Sequence, residues 1–331
     1  MFRIFVSSFA IFAALSAFSL PASAQTGYRM TLSGASPGGL WSMLGAGVNN
    51  AIRGDHEGSV ITYQTSGGGL ANVQIVSSGN AEMGIVHNIE LKAAVSGVPP
   101  FKKPVTNLRA IAVLYNWAPM QMVVTKAFAK KYDIQSMRDL ATKKPPVRIA
   151  VNQRGNMVQE TNKQILAAYG VSYKDIKSWG GQVVYAAGGE MANLFNDRRI
   201  DMAGNGVFVP YRYFTQVAQN MDLKILPLEP EVIAKVAKMT GAEPYTIKAG
   251  GYRWLDKDIP TVALSAVLVA STAMSDKTAY DIARALNVNA DKVREVHKAM
   301  KGLSPALMAS LKVIPYHPGA MKYYREVGLQ K

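Results

Sequence analysis

The sequence predicts an α/β fold arranged as two lobes, and three observations carry that expectation. A strand-like run, a glycine-bearing turn and a helical pattern follow one another repeatedly, which is the rhythm of a parallel sheet covered by helices. The chain is 331 residues long, enough for two domains of ordinary size. No Pro/Ser/Gly linker, low-complexity tract or internal repeat divides it. Two lobes crossed more than once by the backbone would explain the missing linker.

The elements come in order. Residues 28–33 read as a first strand, and the turn Ala35-Ser36-Pro37-Gly38-Gly39 leads into a helix over 40–53. A second strand over 60–64 is followed by the turn Thr65-Ser66-Gly67-Gly68-Gly69 and a helix carrying Leu70, Val73, Ile75 and Val76. A third strand covers 83–86. Two separate strands are expected over 108–114 and 120–125, then a short helix over 136–140 and a strand over 148–151. The turn 152–156 opens a long helix through Tyr169. Beyond it lie a strand at 183–185, a turn and helix at 188–196, a strand and turn at 200–204 and a short strand at 223–226. A long apolar strand spans 261–270. Two helices close the chain, 276–286 and 290–301, the second with Val293, Val296 and Met300 on one face.

The amino terminus sets the expected compartment. Arg3 precedes an apolar run over 4–18, and Pro21 with Ala22-Ser23-Ala24 supplies a cleavage site of small residues. This is the layout of a secretory leader, 1–24, removed before the protein works in the periplasm. The run is shorter than the roughly 20 apolar residues that span a bilayer. There is no cysteine, which removes disulfides, thiol nucleophiles, zinc–thiolate sites and a lipidated amino-terminal cysteine.

The net charge is +15, and Arg3 leaves with the leader. The basic residues are scattered, and small clusters such as Lys130-Lys131 and Arg198-Arg199 are not interleaved with aromatics. A solvated basic surface that helps draw in anionic solutes is expected, and not nucleic-acid binding.

Three glycine-bearing turns stand between a strand and a helix. A helix amino terminus offers unpaired N–H groups and partial positive charge, and glycine lets a ligand approach the backbone. Such turns can seat a carboxylate, with Ser36, Thr65, Ser66 and Asn156 adding hydroxyls or an amide. In open α/β sheets, ligands bind outside the carboxyl ends of the strands. Neither G-x-G-x-x-G nor a P-loop is present, so no nucleotide cofactor is expected. The four histidines show no metal-ligand spacing, and no nucleophile elbow occurs. His87 follows a strand and could face the cleft as a donor; His297 is expected on a helix surface.

These residues also resemble a family. Gly34-Ala35-Ser36-Pro37-Gly38-Gly39-Leu40-Trp41, Thr65-Ser66-Gly67-Gly68-Gly69-Leu70-Ala71-Asn72 and Gly79-Asn80-Ala81-Glu82-Met83-Gly84-Ile85-Val86 are similar to the opening of TAXI-type receptors. These are the extracytoplasmic solute receptors of tripartite ATP-independent periplasmic (TRAP) transporters. The segment Tyr132-Asp133-Ile134-Gln135-Ser136-Met137-Arg138-Asp139-Leu140 looks like the family's G-I-x-S-L-x-D-L. The carboxyl-terminal Ile314-Pro315-Tyr316-His317-Pro318-Gly319-Ala320-Met321-Lys322-Tyr323-Tyr324-Arg325-Glu326 is very similar to its I-P-x-H-P-G-A-x-x-Y-x-x-E. The last motif reads as a turn and helix start that fastens the carboxyl terminus to a lobe.

The resemblance implies a type II periplasmic-binding-protein fold with a ligand cleft between lobes. The first lobe would comprise 25–122 and 227–331 and the second 123–226, with hinges near 120–125 and 223–227. It implies a receptor, not an enzyme, that takes a small organic acid or amino acid without a cofactor or metal and delivers it to a TRAP permease. Carried over, the pocket would use Ser36, Gly38, Gly39, Thr65, Ser66, Gly67, Gly68, Asn72, Asn88, Tyr115, Gly155 and Asn156. Arg154 beside the third turn could pair with a carboxylate, and Asn205 lies on a turn that could face the cleft. The chain departs from the family at Leu40-Trp41, where a threonine and a tyrosine are common and where Trp41 would join the pocket, and at Gly155-Asn156-Met157-Val158, where the family's G-S-G-T loses its second glycine and its two hydroxyls. Both changes imply a larger, more apolar pocket. Two other readings stay open on the residues: a secreted enzyme on a similar scaffold, and a sensor subunit docking on a membrane kinase.

Overall fold

The computed structural model describes residues 27–331 other than 36, 38, 155 and 187, so the expected leader lies outside the described residues. Ten strands form one sheet: β1 (Arg29–Ser33), β2 (Val60–Gln64), β3 (Met83–His87), β4 (Leu108–Thr125), β5 (Arg148–Ala150), β6 (Gln182–Val184), β7 (Met202–Gly206), β8 (Leu223–Ile225), β9 (Glu243–Ile247) and β10 (Ile259–Ser271). Their order is β2-β1-β3-β10-β4-β7-β5-β6, with β8 beside β4 and β9 beside β10. In the first lobe β1 runs parallel to β2 and β3, and β10 lies antiparallel between β3 and β4. In the second, β5 runs parallel to β6 and β7, with β4 antiparallel to β7.

Helix formation follows the apolar spacing. The helix Leu40–Asp55 buries Trp41, Leu44, Val48, Ala51 and Ile52 on one stripe, the i, i+3, i+4 pattern of a helix laid on a sheet. The helix Tyr173–Ser178, missed in the sequence, starts at Ser172, whose hydroxyl accepts from Asp175 N while Asp175 accepts from Ser172 N, a reciprocal cap.

Two expectations are corrected. The strands anticipated at 108–114 and 120–125 are one 18-residue strand, β4. Pro119 stands where β4 hands over from β10 to β7: Pro119 is paired with Ala263, and Met120 with Gly206. A missing N–H is tolerated at such a junction. The helix anticipated over 290–301 is two pieces, Ala290–Arg294 and a 3-10 turn at Lys298–Gly302. His297 stands at the break, where its Nδ1 accepts from Ala299 N at 3.1 Å. Ile247, Tyr252, Leu255 and Ile259 join an apolar cluster with Phe195, Phe214, Leu223 and Ile225.

The carboxyl terminus is fastened to β4. Ala110 N donates to Pro315 O at 3.0 Å, and His317 N donates to Ala110 O at 2.8 Å. His317 then caps the helix Pro318–Glu326. A Cβ at Gly319 would overlap the Asp276 carbonyl, so only glycine lets this helix approach so closely. Tyr324, fully buried, donates its hydroxyl to Ile111 O at 2.9 Å. Tyr324→Phe leaves that carbonyl unpaired and is expected to cost about 1–2 kcal/mol, read as a lower urea midpoint with unchanged slope.

Burial holds the His317 imidazole below the usual histidine value of 6.5, with Asp276 opposing the shift. Below that value the unfolded chain therefore takes up this proton more readily than the folded one, so folding stability declines as pH drops. Urea midpoints measured from about pH 8 down to about pH 5 are expected to be flat above 6.5 and to fall beneath it. His317→Gln is expected to flatten that acid arm.

Candidate ligand-binding cleft

The segment after β1 and the loop after β7 meet across β4, through Trp41, Tyr115 and Phe208. Aromatic side chains fill the base of the seam. Phe208, just beyond β7, packs edge-on against Tyr115 of β4 with ring centroids 4.8 Å apart. It also stacks toward Trp117 at 6.5 Å and His297 at 5.8 Å. His297, expected on an exposed helix face, is thus part of the junction, and burial lowers its imidazole pKa, with Lys298 adding to the shift.

On the first-lobe side, the Trp41 indole N–H donates to the Tyr115 hydroxyl at 3.1 Å. The Trp41 ring lies 4.7 Å from that of His87. Glu90, only 3% exposed, sits beneath His87 and accepts from its backbone N at 2.8 Å. Its other oxygen is 3.4 Å from His87 Nδ1. The same carboxylate lies against the start of the helix Gly69–Ser77, where a Cβ at Gly69 would overlap it. The amino end of that helix, expected to seat a ligand anion, therefore already faces an anion belonging to the protein.

The predicted residues divide by what their side chains already do. Asn72 is fully buried and saturated: it donates to Gly34 O at 2.8 Å and Ile85 O at 2.7 Å, and its Oδ1 meets the hydroxyls of Ser33 and Ser66. Asn88 donates to Gly241 O at 2.5 Å and accepts from Ile89 N and Ser265 N. Ser66 reaches Gly34 O at 2.6 Å and accepts from Gly68 N. These three side chains tie turns to strands. Asn205 accepts from Asn152 at 2.9 Å within the second lobe. Asn156 caps the helix Met157–Ala168 by accepting from Val158 N, and its amide nitrogen makes no hydrogen bond among the described residues.

Gly39, Thr65 and Gly67 are exposed, and Gly68 has the positive φ of 100° that its turn requires. Arg154 is exposed and lays its guanidinium 3.7 Å over the Tyr185 ring, a cation–π arrangement that orients the charge. Ser36, Gly38 and Gly155 lie outside the described residues. Of the predicted set, the structure brings Trp41 and Tyr115 into direct contact, and likewise Ser66 with Asn72 and Gly68.

Sequence reasoning passed over Phe208, Glu90, Gln121 and Tyr252. Gln121 donates to Val207 O at 2.8 Å, accepts from the Tyr252 hydroxyl at 2.5 Å, and Tyr252 accepts from Tyr211 N at 3.0 Å. This relay holds the loop that carries Phe208. Phe208 could have been found from its place just after a parallel strand; the relay joins residues 131 apart in sequence and leaves no local signal. Burial, followed by the neighbouring Tyr213, pushes the Tyr211 hydroxyl up to about 12.

Comparison with known proteins places the chain. A model of the NMT1-like family matches residues 32–328, and the protein belongs to that family. Among solved structures, MatC from Rhodopseudomonas palustris with bound malate is 12% identical with a TM-score of 0.54, over 90% of this chain and 96% of that one. A protein from Bordetella bronchiseptica is 14% identical with a TM-score of 0.53, over 91% and 98%. A TctC solute binding protein from Polaromonas is 12% identical with a TM-score of 0.50, over 83% and 86%. The fold is accordingly the two-lobe periplasmic-binding-protein fold expected from the sequence.

Asn72→Ala would leave buried carbonyls of two segments unpaired and is expected to cost about 2–4 kcal/mol. Thr65→Ala, at an exposed position, is expected to stay within about 0.5 kcal/mol. Urea titrations of both variants against the parent check the contrast.

Proposed function

We propose that this protein is a periplasmic receptor of the TAXI type, which captures a small carboxylate-bearing solute between its lobes and delivers it to a TRAP permease without making or breaking a bond. The observation that carries the reading is the seam itself: Trp41, just beyond the turn after β1, donates to Tyr115 of β4, which packs against Phe208, just beyond β7. Strand-end turns of this kind are where open α/β sheets hold ligands. The motifs around Gly34, Thr65 and His317 support the TAXI assignment, and the run ending at Ala24 supports export. MatC, described with bound malate, supports an organic acid as the ligand class.

In this reading the groups still open to a ligand hold the solute. Arg154 supplies the charge, Thr65 and the exposed Gly67 backbone supply hydrogen bonds, and Trp41 supplies an apolar wall. Ser36, Gly38 and Gly155 complete the same turns. The lobes close by hinge motion where β4 changes partner at Pro119 and Met120 and where β10 runs beside it.

A thermal-shift screen of the purified chain against small organic acids and amino acids tests the proposal. A saturable rise in melting temperature, with the ligand unchanged by mass, is the expected result, since binding to the folded state alone adds about 2.7 kcal/mol at a hundredfold excess over Kd. Conversion of the ligand would replace the receptor with an enzyme. Arg154→Ala is expected to weaken binding of the best acid about tenfold or more while leaving the unliganded melting temperature in place. Equal binding by the variant would move the carboxylate contact elsewhere.

A further inference from the structure

A groove of about 1320 Å³ lies away from the cleft, at the far end of the second lobe. The strand β7 links the two places. It begins beside the groove at Asp201 and ends at the cleft before Phe208, a run of roughly 15 Å.

The groove's rim is cationic and comes from separate elements. Lys126 and Lys130 project from the helix Lys126–Lys131, Lys224 from β8, Lys257 from the connection between β9 and β10, and Arg198 from the turn after the helix Gly188–Asn196. Among the described residues none of these five has a carboxylate within ion-pair distance. The other lining charges are largely settled: Arg148 is paired with Asp201 at 2.7 Å, and Asp133 with Lys143 at 2.7 Å. Only Asp222 and Asp256 remain to offset the rim. The cations are close enough to repel one another. Burial, then Lys257 and Lys126, hold the Lys224 ammonium below the usual lysine range, although it rests on Gln135 Oε1 at 2.8 Å. The floor between them is apolar, formed by the second-lobe cluster through Leu255 and Ile259.

We propose that this groove docks a partner protein through an extended acidic segment, in which Asp or Glu side chains meet the lysine rim and alternate apolar side chains lie on the floor. The size of the groove, about 1320 Å³ with cations from four elements around it, suits more than a single small anion. A cationic rim beside apolar lining matches the two-faced pattern of an extended peptide, whose successive side chains point to opposite sides. Lysines on flexible stems suit a fast, salt-sensitive encounter more than a tight, buried ion pair. The surface sits apart from the cleft, so docking and ligand capture can occur together, and the proposal does not rest on the ligand assigned above.

The test uses the purified chain and a fluorescein-labelled peptide of roughly ten residues alternating Glu and Leu, followed by anisotropy. Charge reversal of the rim by Lys126→Glu, Lys130→Glu and Lys257→Glu together is expected to weaken binding by about tenfold or more. Reversal of three exposed lysines elsewhere, Lys92, Lys102 and Lys103, is expected to change it less than about twofold. Raising the salt should weaken the parent more than the rim variant. Thermal melting confirms that both variants fold. Equal losses in the two variants would show a diffuse charge effect and overturn the proposal. So would a rim variant that keeps the peptide but no longer binds phosphatidylglycerol vesicles, which would make the groove a membrane contact.

Discussion

Where β4 runs beside β10, Leu108 opposite Ser271 at one end and Pro119 opposite Ala263 at the other, an antiparallel ladder with register shifts between Leu264 and Ala266, Ala266 and Val267, and Leu268 and Val269 forms the spine on which both lobes are built. The first lobe's parallel strands join it through β3, which pairs with the other edge of β10. The second lobe's parallel strands join it through β7, which pairs with the last residues of β4. Thr261 donates to Met120 O at 2.7 Å across the changeover, so the point where β4 exchanges partners is itself pinned.

The parts of this architecture legible in the sequence are those with a local cause. The apolar stripe of the helix Leu40–Asp55 and the glycine turns after β1 and β2 come from neighbouring residues, and they were readable. The parts that were not depend on distant partners. Pro119 ends a strand in most settings, and nothing nearby reveals that a second partner strand takes over at the next residue. Asn72 beside a glycine turn looks like a ligand group until the carbonyls of Gly34 and Ile85 are seen to use it. The same holds for Asn88 and the carbonyl of Gly241. Glu90 was overlooked because a carboxylate in a helix's first turn is ordinary; its role comes from the neighbouring helix start at Gly69, which it also faces.

Charge is partitioned unevenly across the molecule. The first-lobe side of the seam keeps one buried carboxylate beneath His87, whereas the second lobe presents the exposed guanidinium of Arg154 on Tyr185. The remaining basic residues lie largely on outer surfaces, where they shape long-range attraction and not the contacts in the cleft.

The placement of β10 has a consequence for the order in which the protein is assembled. Residues 259–271 separate β3 from β4, although β3 and β4 are made far earlier. A growing chain can pair β1 with β2 and β3, but that half-sheet has no ladder to β4 until the last quarter of the sequence exists. The second lobe's strands β4 to β8, by contrast, are contiguous in the chain. The lobe begun first is thus the one completed last, sealed by β10 and then by the carboxyl-terminal helix against Ile111. A chain interrupted before residue 271 would leave two exposed strand edges, the feature that makes nascent sheets prone to wrong partners.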